Sequence, residues 1–318
     1  MKFFLRGLSF LSILLLLGLL WAADLWAIVD RLESSFFVAL VVGTLLLTAA
    51  WLAPALAWFS LLGRNTPRTL SRRDGVLLYG TTQIQKYVPG NVFHFLVRHL
   101  KARERGESHE ELFWATMGEI LGQLLGATLF VGLFLVLFLG FSLAGTEALS
   151  VAVLAAFFAL IILFGVRLLP SLLPFLIRNL VRAMGEGARQ WYAEIDLETT
   201  GLTPGDLWKT LPWYSLYFLA LGGAALLLLA SAVPLSVELL FLLLAITSLS
   251  WIVGFLLPGA PGGLGPREAV LAAGLGPLVG LEEALLLAFG LRVATMTSDL
   301  LFFLISTAVE RFRKKSSE

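Results

Sequence analysis

Apolar runs of about 20 residues alternate with short polar segments along most of the chain. One helix of that length crosses a hydrocarbon core of about 30 Å. Six runs predict full spans: Gly7–Ala23, Ser35–Leu62, Glu111–Leu139, Leu149–Val166, Pro204–Ala232 and Ala284–Thr307. Thr203 is placed to cap the fifth, with Pro204 at its first position, where a missing N–H costs nothing. Two further apolar stretches are broken in the middle. Gly75–Val97 carries Pro89-Gly90, and the stretch from Val237 to Gly280 carries the run from Pro258 to Pro266, rich in Pro and Gly.

Loop charge orients these segments, because Lys and Arg near span ends mark the cytoplasmic side. The first span follows Lys2 and Arg6 and exits into the acidic stretch Asp24–Glu33. It resembles a secretory signal, but Trp21 stands where a cleavage site needs a small residue, so it is read as a retained helix. The second span returns to Arg64, Arg68, Arg72 and Arg73. Gly75–Val97 is then followed by Arg98, Lys101, Arg103 and Arg105, so both of its flanks are cytoplasmic and a re-entrant hairpin is expected. The chain closes on Arg311, Arg313, Lys314 and Lys315, which puts both termini inside. The stretch from 237 to 280 then starts and ends outside, as a second hairpin or as two spans with a tight inner turn. A basic segment over residues 176–200, with Leu180, Met184, Ala188, Trp191 and Ile195 at helical spacing, reads as an amphipathic helix on the inner interface or equally as a linker helix facing solvent. It would join halves of roughly 1–170 and 200–318 within a single transmembrane domain.

The two breaks share a pattern. Arg98 lies nine residues after Pro89, and Arg267 lies nine after Pro258. One break opens from each side, as an inverted repeat requires, and paired Gly/Pro interruptions of this kind point to a transporter's binding site. A helix broken within the membrane leaves backbone groups that only protein or a wet cavity can satisfy. A half-helix N-terminus at that depth is a ready anion site. Asn91 is placed to cap the first half-helix. Gly262, Gly263 and Gly265, with Pro266 and Glu268, open the second.

Charged side chains are rare here, at 14% of residues against roughly 25% in soluble domains. Those inside the apolar segments therefore stand out. Arg292 and Asp299 lie seven apart on one face of the last span, with Thr295 between them. Glu119 and Gln123 form an i, i+4 pair, Lys86 precedes the first break, and Arg267 and Glu268 follow the second. At about 2.5–3.5 kcal/mol each, six such charges facing lipid would cost on the order of 15–20 kcal/mol. They are expected to face one another or a hydrated cavity. Glu119, Glu268 and Asp299 would pair with Lys86, Arg98, Arg267 and Arg292 when no anion is bound.

Other chemistry finds little support. The chain has no cysteine, which removes disulfides and thiolate chemistry. His94 and His99 are five apart and do not share a helical face, and no carboxylate cluster offers a metal site. No metal or cofactor is expected, no phosphate-binding loop for ATP is present, and the basic residues flank apolar runs rather than forming a nucleic-acid patch.

The segments Lys86-Tyr-Val-Pro-Gly-Asn91 with Arg98, and Pro261-Gly-Gly-Leu-Gly-Pro-Arg-Glu268, resemble the signature regions of the lysylphosphatidylglycerol synthase transmembrane family. That family includes the flippase domain of the bacterial multiple peptide resistance factor and stand-alone flippase-like proteins. The resemblance implies an all-α protein of the inner membrane that moves an anionic phospholipid or a polyprenyl-phosphate lipid between leaflets, and not an enzyme. The 318 residues carry no aminoacyl-transferase domain, so synthesis of a lysyl lipid is not implied. An intramembrane enzyme acting on a lipid phosphate, or a non-catalytic partner of lipid-modifying enzymes, are the competing readings. A homo-oligomer stays open.

Overall fold

The computed structural model describes residues 33–64, 66–88, 92–142, 148–183, 201–257 and 260–317. The first predicted span, Pro89, Gly90, Asn91, Pro258, Gly259 and most of the amphipathic segment lie outside the described residues. Among the described residues all regular structure is helical: α1 (Ser34–Ala50), α2 (Leu52–Ser60), α3 (Arg72–Gln83), α4 (Phe93–Arg103), α5 (His109–Ser142), α6 (Ala148–Ala183), α7 (Pro204–Ala230), α8 (Val237–Leu256), α9 (Pro266–Val279) and α10 (Leu281–Ser317). Short 3₁₀ turns occupy Ile84–Tyr87 and Pro261–Gly263, one beside each Pro-Gly break. Six of these segments are long and apolar enough to cross a membrane: α1 with α2, α5, α6, α7, α8 and α10. The chain is thus a multi-pass α-helical membrane protein.

α7 forms the hub, packing against α1, α2, α5, α8 and α10. Its start follows from local chemistry. The Thr203 hydroxyl accepts from the Asp206 N–H, and the Asp206 carboxylate accepts from the Thr203 N–H at 2.9 Å, a reciprocal cap. An aromatic core with Trp51, Trp58, Tyr79, Trp114, Phe218 and Trp251 fills the centre. α6 sits at the periphery: most of its apolar length is uncovered by protein, whereas more than half of that in α7 is buried.

Two expected boundaries move. The second span is split at Trp51, because Pro54 has no N–H to give to the Ala50 carbonyl. The fourth span does not stop near Val166. α6 runs on through Pro170 and Pro174 to Ala183, absorbing the start of the segment assigned to a separate interfacial helix. A proline removes one hydrogen bond and bends a helix, and packing in a membrane tolerates it.

The broken stretches differ in length. α3 and α4 have 12 and 11 residues, about 17–18 Å each at 1.5 Å per residue, too short to span alone. α8 has 20 residues, about 30 Å, and α9 only 14, about 21 Å. The first stretch has the dimensions of a hairpin. The second pairs one full-length arm with one short arm.

Candidate functional site

The tips of the two broken stretches meet against α10. Asp299, fully buried on α10, takes the Lys86 ammonium at 2.7 Å and the Tyr87 hydroxyl at 2.5 Å, both on Oδ2. The Lys86 ammonium also lies 4.5 Å from the centre of the Trp51 ring, within cation–π range. The Tyr87 ring packs on Gly262. That glycine has φ 58°, and a Cβ there would come within 2.6 Å of the ring. One residue in the first break thus fits a notch that only glycine leaves in the second.

The second break is tied down by Glu268 and Arg292. Glu268 accepts the Gly265 N–H at 2.7 Å through one oxygen and the Arg292 Nε–H at 2.5 Å through the other. Arg292 Nη1 donates to the Gly262 carbonyl at 3.0 Å. α9 begins at Pro266 as the sequence predicts, with Glu268 reaching back over its first turn. The Gly262 carbonyl and the Gly265 N–H, freed by the break, are thereby satisfied by protein, as a helix broken within a membrane requires.

Arg267 is different. Its side chain passes between Gly254 and Gly263, where a Cβ would collide with it at 2.4 and 2.6 Å respectively. Its guanidinium lies 5.7 Å from the Trp251 ring centre. Among the described residues no carboxylate pairs with it, and its Nε–H has no partner. It lines a cavity of about 20 Å³ together with Thr247, Ser250, Glu268, Arg292 and Thr295.

Arg98 and Glu119 form another cluster. They are almost completely buried and 2.6 Å apart. Glu119 also accepts from the Tyr79 hydroxyl at 2.8 Å and the Gln123 amide at 3.2 Å. The Arg98 guanidinium stacks 3.7 Å from the Tyr79 ring centre. The two arginines at matched offsets from the breaks therefore sit in different surroundings, one fully paired and one not. His94 is buried in α4 with Nδ1 unpartnered, and His99 Nε2 meets His109 Nδ1 at 2.7 Å. The predicted cap at Asn91 lies outside the described residues, and Val92 stands before the first residue of α4.

The structure thus gathers Lys86, Gly262, Gly265, Arg267, Glu268, Arg292 and Asp299 around one junction. Reasoning from charge alone missed Tyr87, Tyr79 and Thr247. Tyr87 stood in the quoted Lys-Tyr-x-Pro-Gly motif, but a neutral aromatic carries no insertion penalty to flag it.

A multi-pass helical bundle with two broken segments meeting at buried, paired charges defines a membrane protein built around a polar intramembrane junction. The sequence matches the family described as the lysylphosphatidylglycerol synthase transmembrane region over residues 9–302, and the chain belongs to that family. The family is a membrane domain associated with flippase-like function. Comparison with curated proteins finds no match.

Proposed function

We propose that this protein moves an anionic lipid, a phospholipid or a lipid-linked phosphate, between the leaflets of the inner membrane, with both termini in the cytoplasm and without chemical change to the lipid. The observation that carries this reading is the junction itself. Asp299 and Glu268 sit on Lys86 and Arg292 as internal anions, held by the two segments that break the membrane-spanning pattern. An anionic headgroup that replaces a carboxylate meets a cation already desolvated and oriented, so little reorganisation is needed on binding. The cavity is far smaller than a headgroup, so the arrangement corresponds to a closed state that opens when the breaks part.

A lipid also needs a place for its chains. Between α5 and α6 lies an apolar groove of about 430 Å³, lined by Leu121, Leu124, Leu125, Ile161, Phe164 and Leu168 among others. It shares α5 with Glu119 and Gln123 and opens on the most lipid-exposed span, which supports a lipid over a soluble anion.

The test is leaflet exchange by the purified chain in liposomes, using headgroup-labelled phosphatidylglycerol and a labelled polyprenyl phosphate. At least one should cross faster than in protein-free vesicles, and Arg292→Gln should slow it by about tenfold or more. Rates equal to the protein-free control for every anionic lipid would sink the proposal.

A further inference from the structure

The charge balance at the junction is incomplete. Lys86, Arg267 and Arg292 are three cations, and Glu268 and Asp299 are the two carboxylates facing them among the described residues. A charge drawn out of water without a counter-charge is disfavoured. The excess lies at Arg267, which is half-buried and cannot shed its proton.

Three residues with unpartnered polar atoms line the same cavity. Arg267 Nε, Arg292 Nη2 and Thr247 Oγ1 are buried with no hydrogen-bond partner, and all three residues line the one cavity. Arg292 is 8% exposed and Thr247 1%. The other hydroxyls there are committed, since Ser250 donates to the Thr247 carbonyl and Thr295 to the Arg292 carbonyl. Both Glu268 oxygens are also occupied. What remains is two guanidinium N–H donors and a hydroxyl on residues that line about 20 Å³. A cavity needs about 10–15 Å³ for one water, so a single-atom ligand fits and the four oxygens of a phosphate do not. A water could accept some of these bonds but would leave the charge uncancelled. A monovalent anion of halide size would cancel it while accepting from donors of this set.

We infer that the cavity at Arg267, Arg292 and Thr247 is a binding site for a small monovalent anion of halide size. The site stands whether or not the chain moves lipid. In a transporter its occupant would be the resident counter-ion that an arriving headgroup displaces.

The full chain in phosphatidylcholine nanodiscs tests this by thermal unfolding while chloride or bromide replaces gluconate at constant ionic strength. Tm should rise saturably with either halide. Thr247→Val keeps the volume and removes the hydroxyl, so the halide concentration at half-effect should increase about tenfold. Arg267→Gln should abolish the dependence. Should Arg267→Gln not fold, anomalous scattering from bromide in wild-type crystals locates the ion independently. A Tm indifferent to halide overturns the inference and leaves water in the cavity. So does a rise caused by inorganic phosphate alone, and so does an unchanged halide response in Thr247→Val together with bromide density elsewhere.

Discussion

Asp299 takes both Lys86 and Tyr87 on one oxygen, while its Oδ1 is buried without a partner. Removing the charge leaves Lys86 buried without its carboxylate, so Asp299→Asn should cost about 3–5 kcal/mol in reversible unfolding measurements. Tyr87→Phe deletes only a hydrogen bond to a charged group, and a loss of about 1.5–3 kcal/mol is expected. Equal effects would mean that Lys86 draws its stability from elsewhere. At this scale the sequence was readable wherever a residue was costly in lipid. Arg292, Asp299, Glu268 and Lys86 stood out because each had to find a partner. Tyr79, Tyr87 and Thr247 did not, because hydroxyls and aromatics are common in spans and their role depends on what the fold sets opposite them.

Between elements, the Arg98–Glu119 pair ties α4 to α5. The Arg98 side is aromatic, but Glu119 also accepts from the Tyr79 hydroxyl and the Gln123 amide, so apolar replacement of both partners should be better tolerated than loss of one without being neutral. Arg98→Met should destabilise by about 3–5 kcal/mol, and Arg98→Met with Glu119→Leu should recover part of that in the same unfolding assay, the remainder reflecting the unpaired Tyr79 hydroxyl and Gln123 amide. At the basic end of the hairpin, Asp74 on α3 meets Arg313 on α10. Partial burial alone would raise the Asp74 carboxyl, but the Ser71 hydroxyl and the Arg313 guanidinium prevail and hold it below its ordinary value. Its stabilisation is therefore present above the ordinary carboxylate range and fades as the pH falls through the lowered value. Asp74→Asn should cost less than about 1 kcal/mol at neutral pH and nothing at the acid end of a pH series. Element boundaries were legible where capping chemistry fixed them, as at Thr203-Pro204 and Gly265-Pro266. They were not legible at Trp51 or along α6. Whether a proline ends a helix or only bends it is decided by neighbours that hydropathy does not contain.

For the whole molecule, the charge pattern makes a directional claim that the absence of native cysteine makes easy to test. Glu104→Cys, after α4, should react with an impermeant thiol reagent only from the cytoplasmic side. Ala232→Cys, between α7 and α8, should react only from the opposite side. Labelling of both from one side would overturn the assigned topology. The closed junction also yields a graded instrument. Because the Tyr87 ring rests where Gly262 has no side chain, a Cβ added at 262 would press on that ring and also strain a backbone held at φ 58°. In the proposed transport cycle, Gly262→Ala and Gly262→Ser would prise the two breaks apart, turning a single close contact into a lever on how often they part.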